Sequence, residues 1–222
     1  MNPALKDVWS QMQNLGLGAL AHANRHAAYL DMENGSWSPL SVLQAAHAAE
    51  LLIKARIAQE HPLLIFDRIP RSTVAAGTQL DLVDLFRDGK TIQWSDLPER
   101  LWATTGQHIP NKEKFVKFGQ LRNVIQHFSA PDNVDLEWEV LSFIFEVIDP
   151  FIYENWGLYA VDYDEDHEPY IYFIDSLVNK KILFNVSKDA AECFSYWNVD
   201  WSTVDLDYKT EIKNRVEIQL NK

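Results

Sequence analysis

The stretch Lys112-Glu113-Lys114-Phe115-Val116-Lys117-Phe118-Gly119-Gln120-Leu121-Arg122-Asn123-Val124-Ile125-Gln126-His127-Phe128 decides the fold class. Its apolar residues recur at three- and four-residue steps, the period of a helix and not of a strand. Pro110-Asn111 opens it and Pro131 closes it. At 100° per residue, Phe118, Leu121, Ile125 and Phe128 share one face, which is expected to be the buried one. Asn123 and His127, four apart, stack nearly opposite that face, and Arg122 falls toward the rim between the two.

The same period recurs on both sides of this stretch. Val134 to Glu154 is strongly apolar, with Val140, Ile144, Val147, Ile148 and Phe151 as its expected buried stripe. Residues 4–31 read as one long helix through Leu5, Val8, Trp9, Met12, Leu15 and Ala19, weakened locally by Gly16 and Gly18 and ended at Asn34-Gly35-Ser36. Ser38-Pro39 then supplies an N-cap and a proline at the first helical position, opening a second helix to Glu60, which His61-Pro62 stops. On it, Glu50 and Lys54 form an i, i+4 pair worth about 0.3–0.5 kcal/mol on an exposed surface. Thr78-x-x-Asp81 reads as a capping box for a short helix ending at Gly89, and Ser95 and Pro98 start another ending before Gly106. No stretch of residues 1–154 alternates with period two. The expected fold is mainly α: an antiparallel helical bundle over residues 1–154, with residues 155–222 as a small acidic C-terminal extension packed on it. Within that extension 170–181 and 208–220 read equally as helix or strand, and 182–186 as extended.

Composition narrows the function classes. With 47% apolar residues and 12% aromatics, the 222-residue chain can bury a sizeable core, which excludes wholesale disorder. One cysteine, Cys193, excludes an intrachain disulfide framework and a Cys-based zinc site, and fits a reducing, cytoplasmic setting. No run of about eighteen apolar residues is present, so no membrane association is expected, and Met1 to Asp7 lacks the pattern of a signal peptide. The net charge of −12 is uneven: residues 1–128 carry 13 Lys and Arg against 12 Asp and Glu, residues 129–222 carry 7 against 20. Phosphates are repelled by the second part. The near-neutral first part remains open to a local phosphate site.

Arg122 and His127 suit phosphodiester chemistry. A guanidinium stays charged and presents a planar fork that matches phosphate oxygens. An imidazole can remove and return a proton near neutral pH. The pair needs neither metal nor cofactor. Arg122-Asn123-x-x-x-His127, late in a helical chain, resembles the active-site motif of HEPN-domain ribonucleases, as do the long first and second helices, including Ala48-Ala49-Glu50-Leu51-Leu52-Ile53-Lys54-Ala55. The resemblance covers residues 1–154. It implies a homodimer whose motif-bearing helices face each other around a composite, metal-independent RNA-cleaving site with Arg122, Asn123 and His127 as its catalytic residues. It also implies a role as a toxin, with an antitoxin or sensor as partner, or as an antiviral-defence effector.

Other patterns carry less. Arg56 to His61 repeats the Arg-x4-His spacing, but the residue after Arg56 is Ile57 and Pro62 pins His61. His22 and His26 have metal-ligand spacing without a third ligand. Asp162-x-Asp164-x-Asp166 begins like a calcium loop, yet His167 stands where glycine is needed and Phe173 where the bidentate Glu is needed. A reading from a different class is a non-catalytic helical interaction module whose acidic C-terminal part binds a basic partner.

Overall fold

The computed structural model describes residues 2–29, 34–72, 79–164, 171–196 and 198–221. Leu30, Thr78 of the expected capping box, and Asp166, His167 and Tyr170 lie outside them. The described chain is mainly helical, as the periodicity predicts: α1 (Val8–Ala28), α2 (Trp37–Glu60), α3 (Leu82–Asp88), α4 (Leu97–Thr105), α5 (Lys112–His127), α6 (Leu136–Phe143), α7 (Asp149–Trp156), α8 (Ile171–Asn179), α9 (Lys188–Tyr196) and α10 (Leu206–Leu220). Among the described residues, strand pairing is confined to a minimal antiparallel ladder of β1 (Phe66–Arg68) and β2 (Lys90–Thr91), pairing Phe66 with Thr91 and Arg68 with Lys90. Strands of three and two residues are too short to leave an alternating signature.

The helix ends follow local chemistry. Asp81 caps α3, its carboxylate accepting from Asp84 N at 2.8 Å. Gly106 and Gly157 end α4 and α7 at φ 76° and 67°, the left-handed region that suits glycine. Ser38 lies inside the first turn of α2 and not at its cap; its hydroxyl donates to Glu137 Oε1 at 3.2 Å.

Two compact units emerge, Met1–Leu17 with Ala48–Ile109, and Gly18–His47 with Pro110–Lys222; α1 and α2 contribute residues to both. In the first unit, a Cβ on Gly16 would lie 2.9 Å from Leu52 Cγ, so this glycine lets α1 approach α2 closely. Along α1 the buried positions are Gly16, Leu20, Ala23, Asn24 and Ala27, whereas Leu15, part of the apolar period in the sequence, is 59% exposed. The Glu50–Lys54 pair forms at 2.6 Å but is not a surface pair: Lys54 is buried and also donates to Thr91 Oγ1 at 3.2 Å. Arg100 of α4 donates to the carbonyl of Leu64 at 2.9 Å, tying α4 to the chain entering β1.

In the second unit, α6 runs into α7 through a wider π turn at Ile144–Ile148. Asp149 N donates to Ile144 O, five residues back. Pro150 has no N–H and its ring cannot pass the carbonyl four residues earlier, so the widened turn absorbs the conflict. The expected stripe Val140, Ile144, Val147, Ile148 and Phe151 is buried throughout. Phe145 of this segment meets Phe173 of α8 and Phe184, each at 6.0 Å between ring centroids. Residues 171–179 and 206–220, ambiguous by pattern, are helical, and 182–187 form no regular element. Tyr208 of α10 donates to Ile182 O at 2.7 Å and Arg215 to Phe184 O at 2.7 Å, fixing that irregular segment against α10.

Candidate active site

Helix α5 carries the candidate residues, and its start is firmly held. Asn111 adopts φ 44° and caps the helix by accepting from Lys114 N at 3.2 Å. Asn111 Nδ2 and Lys114 Nζ both donate to Glu146 of the π turn, at 2.7 and 2.8 Å. The Lys114 ammonium also lies 4.8 Å from the Trp138 ring centroid, a cation–π arrangement.

The rotation of α5 differs from the sequence expectation. Phe115, Phe118 and Gly119 are its buried residues, and Phe118 stacks face to face on Phe143 of α6 with centroids 3.8 Å apart. Leu121 and Ile125 are only half-buried, and Phe128 is 92% exposed. The buried arc is thus turned by about a quarter of a circle toward Phe115 and Phe118. Phe128 cannot share it, because the helix ends there: Phe128 has φ −139° and ψ −90°.

This rotation moves Arg122 from the expected rim to the inner side of the helix, one turn beyond Phe118. It is half-buried there, and its guanidinium donates to Asn123 Oδ1 at 3.0 Å. Asn123 therefore engages Arg122, its neighbour in sequence. His127 stands in the last turn of α5, exposed, with no hydrogen-bond partner among the described residues. The helix thus presents a guanidinium steadied by an amide and, a turn later, an accessible imidazole. Lys112, Lys114, Lys117 and Arg122 outnumber the single acid Glu113 along α5, so it is locally cationic in an acidic chain.

The competing motif is occupied with structural work. Arg56 pairs with Glu60 at 2.8 Å, and His61 Nδ1 accepts from Leu63 N at 3.2 Å to cap the following turn. His26 Nδ1 meets Gln44 Oε1 at 2.8 Å and its ring lies 4.6 Å from that of Trp37. Asp162 accepts from Ser187 Oγ at 2.5 Å and Asp164 from Tyr29 OH at 2.9 Å. Among the described residues no three His, Cys, Asp or Glu side chains are grouped to hold a metal ion. No helix among them is long and apolar enough to cross a membrane.

Sequence reading overlooked Asp149. Its carboxylate is buried, with Oδ1 accepting from Ala160 N and Oδ2 from Asn185 N, both at 2.9 Å. Burial pushes it up to about 6, against the pull of the two N–H groups and of Arg215. The signal was present as a lone acid within the apolar run Val147-Ile148-Asp149-Pro150-Phe151. Its partners are both backbone amides, so it braces two loops.

Comparison with protein-family models, with curated proteins and with solved structures returned no match.

Proposed function

We propose that the protein is a metal-independent RNA endonuclease of the HEPN type. The observation that carries this reading is the pairing on one anchored helix of an Asn123-steadied Arg122 with an accessible, unpartnered His127. Arg122 binds the scissile phosphate and stabilises the charge that accumulates on it. His127 transfers the proton between the ribose 2′-hydroxyl and the leaving oxygen. Products carry a 2′,3′-cyclic phosphate, and single-stranded or looped RNA is the preferred substrate because its backbone reaches the in-line geometry. Asn123 holds the guanidinium in place and is a positioning residue in this scheme.

One Arg and one His per chain make a sparse site, and the active form is a homodimer built on the motif-bearing helices. Val116, Val124 and Phe128 support this, since all three are exposed apolar side chains of α5 or its cap. Such a surface is what a protein interface covers. The same surface favours a second reading, a helical interaction module without catalysis. A toxin or antiviral role, with an antitoxin or sensor as partner, extends the catalytic reading.

The deciding experiment is cleavage of total RNA with a chelator present, comparing the native chain with His127→Ala. Chelator-resistant cleavage lost in His127→Ala supports the ribonuclease. Equal activity of the two chains, or none in either, removes it in favour of the module.

A further inference from the structure

The first unit contains a cavity of about 660 Å³ that the ribonuclease reading does not use. Its walls come from α1, the turn before β1, β1 itself, α3 and the chain around β2. Val8, Met12, Leu15, Ile65, Leu85 and Phe86 line it, so most of the interior is apolar. Its size falls within the roughly 300–1,000 Å³ common for small-molecule sites. Phe86 is 81% exposed and Leu15 59%, so the cavity leaves large apolar side chains in water. Burying them against a ligand is favourable.

The polar lining is concentrated. Apart from Gln11, it consists of Lys90, Thr91 and Gln93, within four residues of one another. Lys90 is the single charged residue among the lining residues and is exposed, and its ammonium has no ion-pair or hydrogen-bond partner among the described residues. Thr91 Oγ1 already accepts from the buried Lys54 at 3.2 Å, which leaves the hydroxyl proton for an acceptor. An apolar interior with a cation and a hydroxyl donor on one segment complements a molecule with a long apolar body and one anionic end.

We propose that this cavity binds a small amphipathic anion of the fatty-carboxylate class, its head at Lys90 and Thr91 and its tail against Met12, Leu85 and Phe86. The proposal is independent of Arg122 and His127. It is tested on the full chain by calorimetric titration with decanoate and with decanol, both kept below self-association. Decanoate binds one per chain with Kd of about 10–100 µM, the range its size allows. Lys90→Glu weakens decanoate about tenfold or more and leaves decanol within about twofold, because the exposed lysine contributes charge and not packing. Met12→Trp fills the interior and weakens both. Melting curves establish that each variant is folded, and Lys90→Glu, a surface change, melts with the native chain. Absence of binding by both probes overturns the proposal. So does equal response of decanoate and decanol to Lys90→Glu, or decanoate binding undiminished in folded Met12→Trp.

Discussion

Phe118 of α5 and Phe143 of α6 stack with their planes 1° apart and their centroids at 3.8 Å. That stack sets the rotation of α5, and the rotation determines what each motif residue meets. Arg122 follows Phe118 onto the inner side, while His127 and Phe128 remain in solvent.

Stability should track this arrangement. Phe118→Ala removes a fully buried ring and should cost about 3–5 kcal/mol. Ile125→Ala, half-buried, should cost about 1 kcal/mol, within the range of ordinary substitutions. Urea unfolding of the two variants compares them directly; an equal cost would mean that the stack does not anchor the helix.

Chemistry should track it in reverse. His127→Ala is at an exposed site and should change stability by no more than about 0.5 kcal/mol, while lowering RNA cleavage about 100-fold or more through lost proton transfer. Arg122→Lys keeps the charge but loses the planar fork and should impair cleavage measurably. Cleavage rates read beside melting temperatures separate the two effects. A His127→Ala chain that unfolds would make the residue structural.

Assembly is open to a direct measurement. Phe128→Glu places a charge on the exposed apolar surface of the motif helix and should convert a dimer to a monomer in light scattering at micromolar concentration. A native chain that is already monomeric there would remove the composite site.

Asp149 should make stability depend on pH in an unusual direction. Its folded value of about 6 lies above the ordinary 3.8, so between those values the folded chain holds the extra proton. The stabilisation is complete below about pH 4 and is lost as pH rises through about 6, amounting to about 3 kcal/mol. Asp149→Asn should abolish this component, together with a pH-independent loss from one mismatched N–H. Unfolding free energies of both chains from pH 4 to 7 give the difference; a constant difference would refute the assignment.

Gly89 should resist substitution. A Cβ there would run into Leu85 O and lie 2.9 Å from Phe66 Cε1. Gly89→Ala should destabilise by about 1–3 kcal/mol, the range for overpacking, measurable as a lowered melting temperature.

Helical character was legible because it needs only local information. The 3.6 period, the caps and the stop signals at Gly89, Gly106 and Pro131 act within a few residues. The stripe Val140 to Phe151 was equally plain, since a segment with one dominant apolar arc has one way to face inward. Helix α5 has one broad apolar arc, running from Phe115 through Phe118 and Ile125 to Leu121 and Phe128. Periodicity cannot choose which end of that arc turns inward; the ring of Phe143 does. Burial of Lys54 and Asp149 likewise depended on partners distant in sequence: Thr91 for the lysine, Ala160 and Asn185 for the acid. Local sequence pattern sufficed to make residues 1–154 mainly helical and to put Arg122, Asn123 and His127 on one helix, whereas 171–179 and 206–220 became helical only through packing. Only tertiary packing decided which way that helix turns, because a polar group's surroundings are set by whatever chain segment is packed against it.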